Sequence, residues 1–381
     1  MSSIYLDHNA TTALDPHVLE SMLPWMQRQS GNPTSRHIFG RSARDAVEHA
    51  RTQVAAACGA YASQVIFTAS GTEANNFAVK GIAGSQAGSQ ILHSAIEHPC
   101  VSRPAKAMQQ AGWTSDAIGV DAHGMLTLAQ LQQQLQTPTS VASVMLANNE
   151  TGVIQNIAEI AETVRRAGAF MHTDAVQGLG KIPVSFTDLN VHAMTVSSHK
   201  IHGPQGAAAL ILDKRVDIQP LLHGGGQERG LRSGTENVAA IVGFGAACEL
   251  AVANLAQFAS HTQMLRDTFE QGLKALNVTI FSQQATRLPN TSFFALDGIE
   301  GETLVTALDR KGFAVASGSA CSSDSTEPSH VLLAMGIKPD LARGAVRVSF
   351  GAHNTLLQVT DFLTTLNNEI LRLKQLTGVA A

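Results

Sequence analysis

The chain has 381 residues, 44% of them hydrophobic and 15% charged, and a formal net charge of -4. That is a globular composition long enough for one large core and a smaller one, and its weak negative charge argues against direct binding to nucleic acid or an anionic membrane. The opening "MSSIYLDHNATT" has no basic n-region and no apolar h-region, and no apolar run approaches a bilayer span, so we expect a cytoplasmic protein acting on small molecules or other proteins.

Strand and helix signals alternate through the middle of the chain. "VIFTA" (65–69) predicts a strand, followed by a helix over "SGTEANNFAVKGI" whose Ser70 and Glu73 have capping-box spacing. A buried strand is expected over 140–147. A helix is expected over 155–167, with Ile157, Ile160, Ala161 and Val164 on one face and Gly168 past its end. Further strands are expected over 169–175, 193–198 and 207–212. This βαβ periodicity predicts an α/β fold with a mainly parallel central sheet. A long helical stretch then runs from Thr235 to about Leu276, with a soft break near 257–262. Short strands, a helix over 301–311 and a last helix capped by Asn354 follow. We expect a large domain over 16–256 and a smaller α+β domain made of 1–15 and 257–381.

Four cysteines, Cys58, Cys100, Cys248 and Cys321, are widely spaced with no metal-ligand pattern, so they read as reduced thiols. Cys58 and Cys248, among alanines and glycines, are expected in the core. Cys321 differs: it sits in "SGSACSS" (317–323), a run of small residues that cannot fill a core and reads as a flexible loop with a thiol at its tip.

Asp174 falls at the carboxyl end of one expected strand and Lys200 just past another, where ligands sit in open parallel sheets. Such a pair suits pyridoxal phosphate, with the lysine as Schiff base and the carboxylate on the pyridinium nitrogen. The same two residues also fit a structural ion pair and a surface lysine. Gly71 and Thr72 at a helix start, with Ser197, Ser198 and His199 beside Lys200, offer the N–H groups and hydroxyls a phosphate needs. His98 in "EHPC" can stack on a ring and move protons near neutral pH, or serve only structure. The polar loop 221–237 lacks the order of a dinucleotide site, and "GLGKI" (178–182) fails as a P-loop. His199 and His202 precede glycine and proline at once, so no metal is expected.

Taken together, "YLDHNATT", "GNPTSRH", "FTASGTEANN", "IEHPCV", "NNETGVIQ", "HTDAVQGLGK", "SSHKIHGPQG", "HGGGQERGLRSGTEN", "SGSACSS", "EPSHVLLAMG" and "VRVSFG" resemble the cysteine desulfurases of the pyridoxal-phosphate aminotransferase-like superfamily, in the short-loop subgroup. The resemblance implies fold type I of the pyridoxal-phosphate-dependent transferases. It implies that Lys200 carries the cofactor and shuttles protons, Asp174 pairs with the ring nitrogen, and Asn149 and Gln177 contact ring substituents. It implies that His98 stacks on the ring, that Gly71, Thr72, Ser197, Ser198 and His199 form the phosphate cup, and that Thr235 reaches the phosphate of the other subunit in a homodimer. Arg347, with Asn149, is implied to hold the carboxylate of L-cysteine, and Cys321 to receive the sulfur as a persulfide for a sulfur-acceptor protein. That acceptor is an iron–sulfur scaffold or a protein of another thiolation pathway. A selenocysteine lyase or an aminotransferase with the same pocket is the nearest alternative, and a non-catalytic sulfur-relay adaptor is a further one. His8 departs from the family pattern, where asparagine or another small polar residue stands. The chain also ends soon after its last helix, whereas housekeeping members carry a longer tail.

Overall fold

The computed structural model describes residues 3–86, 89–318 and 327–377; Cys321 lies outside them. Strand β1 is Ile4–Tyr5. Seven strands follow: β2 (Val65–Thr68), β3 (Gln90–Ser94), β4 (Thr114–Ile118), β5 (Thr139–Ser143), β6 (Phe170–Asp174), β7 (Ala193–Ser197) and β8 (Ala208–Leu212). They form one sheet in the order β2-β8-β7-β6-β5-β3-β4. Four of its six neighbouring pairs are parallel, as the alternation of strands and helices predicts; β8 runs antiparallel to both β7 and β2. The reversal has a simple cause. Residues 198–207 join β7 to β8, and a parallel return needs a crossover of about a dozen residues or more. Lys200 sits on this tight return, in the single 3-10 turn Ser198–Lys200.

Both faces of the sheet are covered. The apolar helix Val238–Ala253 packs against the helices Pro16–Gln27 and Ile38–Ala57 on one side, in a core that holds Phe67, Val196 and Phe244. A second cluster, with Phe77, Ile82, Ile91 and Leu210, closes the other face. Cys58 and Cys248 are fully buried in the first of these cores, and burial pushes the Cys58 thiol up to about 12.

The helical stretch after Thr235 breaks at Asn254, earlier than expected, where the axis bends by 69°. Asparagine competes with the helix for its own backbone bonds and is a natural place for such a break. Beyond it come β9 (Thr279–Ile280), β10 (Thr291–Ala295), β11 (Phe313–Ala314), β12 (Ala316–Ser317) and β13 (Ala345–Ser349). An antiparallel sheet in the order β12-β13-β10-β9 stacks on a core built around Phe269, Phe294, Phe350 and Phe362, all fully buried. Each such side chain contributes about 1.5–3 kcal/mol by leaving water. The N-terminal segment joins this region: β1 pairs in parallel with β11, Asp7 bridges to Ser349, and Leu6 enters the same core.

Three local expectations change. The strand expected over 140–147 ends at Ser143, although Val144 and Leu146 still donate to the carbonyls of His172 and Asp174. The helix after Gly71 widens into a π turn at Phe77–Gly81. Asn354 does not cap the last helix, Leu356–Thr377; its Oδ1 accepts from the Gly351 N–H, turning the loop before it. Thr355 takes that role reciprocally with Gln358, whose N–H donates to Thr355 Oγ1 while its Oε1 accepts from the Thr355 N–H. Among the described residues, no single helix is long and apolar enough to cross a membrane.

Candidate active site

Asp174 is the last residue of β6, and Ser197 the last of the adjacent parallel strand β7. The sheet thereby delivers Asp174, Ser197 and the Lys200 turn to one end. Asp174 is buried, with Oδ1 accepting from the Val176 N–H at 2.9 Å and Oδ2 from Asn75 Nδ2 at 2.7 Å. Burial pushes its pKa up; those two donors, with His98 and Lys200 nearby, pull the other way. Lys200 Nζ donates to the carbonyls of Asn9 at 2.8 Å and Ala10 at 2.6 Å.

Ser70 Oγ accepts from the Glu73 N–H and opens the helix at Gly71, while Glu73 itself reaches back to the Ala69 N–H. Glu73 also pairs with Arg232 at 2.7 Å, which fixes the glycine-rich loop 221–237 against this helix start. A Cβ on Gly71 would lie 3.3 Å from Val176 Cγ2 and 3.6 Å from Ser197 Cβ, so glycine keeps this surface open. Ser197 Oγ is buried beside it without a hydrogen-bond partner. A helix N-terminus, an uncovered backbone and an orphaned buried hydroxyl match the needs of a phosphate group. The residues thus fit pyridoxal phosphate: a phosphate cradle at Gly71 and Ser197, a buried carboxylate at Asp174, and an amine at Lys200. Thr72 is exposed on the first turn of the same helix. Among the described residues, no group of three His, Cys, Asp or Glu is arranged to hold a metal ion.

Other expected residues are placed differently from one another. The Ser198 hydroxyl is likewise buried without a hydrogen-bond partner, and it occupies the space a Cβ on Gly203 would need. His199 Nδ1 is 3.1 Å from Thr11 Oγ1. Gln177 is engaged at both ends of its amide, donating to the Asn9 carbonyl at 2.9 Å and accepting from Lys181 at 2.6 Å. Thr235 is exposed on loop 221–237.

His98 caps the helix Pro99–Ala107, its Nδ1 accepting from the Cys100 N–H and lying 2.9 Å from Cys100 Sγ. Burial lowers its pKa, which favours the neutral imidazole at neutral pH. It lines a cavity of about 580 Å³ with Thr72, Asn76, Lys80, Cys100 and Arg103. Burial and the nearby Asp174 carboxylate drive the Cys100 thiol far up, so Cys100 is not a thiolate nucleophile. Lys200 lines a larger cavity of about 750 Å³, shared with His8, Lys181, His202 and His353.

Arg347, on β13, is buried and held in place. Its Nη1 donates to the Asn149 carbonyl at 3.0 Å and its Nη2 to Asp7 Oδ1 at 2.6 Å. Its Nε is buried with no partner. His8 stacks edge-on to Tyr5, and its ring fills the space a Cβ on Gly351 would need. Burial lowers its pKa to about 4, so it is a neutral packing residue.

Sequence reasoning missed Asn75, Asn9 and Lys181. Asn75 fixes Asp174. Asn9 donates to the Asn149 carbonyl and to Thr291 Oγ1, accepts Lys181 on its side chain, and accepts Lys200 and Gln177 on its backbone carbonyl. All three lie in stretches already singled out, "EANN", "YLDHNATT" and "GLGK", but nothing in a one-dimensional pattern distinguishes them from their neighbours.

The chain is similar to known proteins over nearly its whole length. The family model "Aminotransferase class-V" matches residues 4–362. A cysteine desulfurase of Gluconacetobacter diazotrophicus is 41% identical over 382 residues, covering 99% of this chain and 96% of the relative. A solved NifS-like protein superposes with a TM-score of 0.91 at 37% identity, covering 97% of this chain and 100% of that one. A structure of SspA in complex with cysteine gives 0.81 at 30% identity, over 92% and 99%.

Proposed function

This chain belongs to the class-V aminotransferase family, and we infer that it is a pyridoxal-phosphate-dependent cysteine desulfurase, converting L-cysteine to L-alanine and a transferable sulfur. The observation that carries the reading is the shared end of β6 and β7, where Asp174, Ser197 and Lys200 meet. The structural neighbour SspA was solved in complex with cysteine, which supports the same substrate here.

When bound, pyridoxal phosphate supplies an electron sink that weakens bonds at the substrate's Cα and Cβ. The chain supplies the rest. Asp174, fixed by Asn75 and Val176, keeps a negative charge where the ring nitrogen must hold its proton. Gly71 and Ser197 receive the phosphate. Arg347, braced by Asp7 and the Asn149 carbonyl, presents its remaining N–H groups to the substrate carboxylate. Lys200 moves the proton off the substrate Cα, and His98, neutral and adjacent, serves the protons at sulfur. Cys321 takes the sulfur. The substrate's Cβ–S bond breaks, a Cys321 S–S bond forms, and cysteine plus the Cys321 thiol give alanine plus the Cys321 persulfide.

Thr235, exposed on a loop pinned to the phosphate cradle, completes the site of a second copy in a homodimer. The persulfide passes to a sulfur-acceptor protein of an iron–sulfur or other thiolation pathway, in the cytoplasm. The deciding experiment measures alanine and persulfide from L-cysteine, with borohydride fixation of the cofactor mapped by peptide mass spectrometry. We expect the adduct on Lys200 and no turnover in Lys200→Ala. Alanine formation only with consumption of a keto acid, or full turnover in Lys200→Ala, overturns the reading.

A further inference from the structure

Lys181 is 2% exposed, and no carboxylate pairs with it among the described residues. Its Nζ donates to two amide oxygens, Asn9 Oδ1 at 2.9 Å and Gln177 Oε1 at 2.6 Å. Burying an ammonium against neutral acceptors alone costs several kcal/mol as an order of magnitude, so the placement needs a compensating use. Its neighbours show one. Asn9, which Lys181 holds by its side chain, accepts Lys200 Nζ on its backbone carbonyl. The two lysines are thus bound to oxygens of the same buried residue, and both line the same cavity.

Building on Lys200 as the cofactor lysine, we propose that Lys181 is a positioning and charge-tuning residue for it. Through Asn9 it fixes the carbonyl that holds Lys200, and the two amines, both bound to this one buried residue, compete for a single positive charge, so that a proton on one disfavours a proton on the other. A cationic neighbour is a general way to activate a lysine. Gln177 and Asn9 lock the arrangement, since Gln177 also donates to the same Asn9 carbonyl. The remaining charged or titratable groups around the pair and its cavity are Arg347, His8, His98, His199, His202, His261, His353, Asp174 and Asp15. Arg347 adds to the positive field. Burial favours the neutral form of His8, His98, His199 and His202, whose pKa values are lowered, and Asp174 is the acid that acts on Lys200. Burial and Lys200 together also lower the pKa of Lys181 itself, so the two amines titrate as a coupled pair.

The test labels the cofactor-stripped full-length protein with trace acetic anhydride across the alkaline range and reads acetylation of Lys200 by peptide mass spectrometry. Exposed Lys106 and Lys214 are the internal references. In the wild type, Lys200 should titrate at least about one pH unit below those references, tenfold in proton affinity. Lys181→Met should move it back up by about one unit, and capture of added pyridoxal phosphate at neutral pH should slow by about tenfold. Lys181→Arg, which keeps the charge, should restore most of both. If wild-type Lys200 titrates with the references, the proposal fails whether or not either variant folds. It also fails if a folded Lys181→Met leaves the midpoint and the capture rate unchanged. Borohydride fixation of the holoenzyme separates this from the functional reading: an adduct on Lys200 with no shift in titration refutes only the role of Lys181, whereas an adduct elsewhere refutes the assignment of Lys200.

Discussion

Asn75 Nδ2 lies 2.7 Å from Asp174 Oδ2 and 3.0 Å from Cys100 Sγ, so one amide fixes the carboxylate and touches the thiol behind it. Asn75 is fully buried, and Asp174 is buried beside it. Removing the donor leaves a buried carboxylate with one strong bond fewer, at a cost of about 1–3 kcal/mol. Asn75→Ala should therefore raise the Asp174 pKa further and weaken cofactor retention by about tenfold or more. Titrating stripped protein with pyridoxal phosphate by absorbance checks this. Affinity equal to wild type would show that Val176 alone suffices to hold Asp174.

Arg347 carries its charge on a fixed fork. Asp7 and the Asn149 carbonyl hold one side, and Nε remains inside the protein without a partner. Arg347→Lys keeps the charge but loses the planar, two-point match to a carboxylate. We expect kcat/KM for cysteine to fall by about a hundredfold, as for loss of a charge-assisted bidentate contact, with cofactor content unchanged. Asp7→Asn should give a milder rise in KM, because it loosens the brace and leaves the fork itself in place. Steady-state kinetics on both variants decides; loss of cofactor in Arg347→Lys would assign the arginine to the cofactor rather than to the substrate.

Two buried histidines set part of the acid response. Burial lowers His8 to about 4 and His172 to about 3. Their folded pKa lies below the unfolded value of about 6.5, so the unfolded chain binds more protons in between. The stability they carry is complete above about pH 6.5 and is lost as pH falls, by about 1.4 kcal/mol per pH unit for each. The buried carboxyls of Glu97, Glu150 and Asp174, raised chiefly by burial, act in the opposite sense: their contribution is complete at low pH and is lost as pH rises through their folded values. His8→Asn isolates one histidine. Urea unfolding between about pH 6.5 and 5 should become less steep in pH by about 1.4 kcal/mol per unit. An unchanged slope would mean that His8 is protonated in the folded chain.

The parts of the site that the sequence displays are those fixed by local position. Asp174 and Ser197 stand at strand ends, Gly71 opens a capped helix, and Lys200 follows a strand directly. The reversal of β8 was also within reach, because residues 198–207 are too few for a parallel return. Asn9, Asn75 and Lys181 were not, because their partners lie up to 340 positions away and only chain closure makes them neighbours. The helix cap at Thr355 was visible as a Thr-x-x-Gln pattern, yet Asn354 competes for the same reading and is drawn off by the Gly351 N–H. Cys321 rests on sequence alone.

The two cysteines that matter for sulfur should therefore behave in opposite ways. Cys100 touches His98 and Asn75, inside the pocket, but burial and Asp174 keep its thiol protonated. A protonated thiol is a poor attacker of sulfur, so Cys100→Ala should keep alanine formation within a few-fold of wild type. Cys321, in a run of glycine, alanine and serine, has no such constraint in its sequence. Cys321→Ser should keep colour, cofactor content and cysteine binding, because none of the residues around Asp174 and Lys200 depends on it. Serine's hydroxyl stays protonated, so alanine formation should fall by at least about two orders of magnitude, as when a covalent nucleophile is lost. Alkylating the wild type at its most reactive thiol should reproduce that loss, and peptide mapping should place the adduct on Cys321. The measurement is alanine quantification beside mass spectrometry for an added sulfur atom, a gain of about 32 Da. Wild-type alanine formation in Cys321→Ser, with the loss falling on Cys100→Ala instead, would move the acceptor from Cys321 to the pocket wall and overturn the assignment.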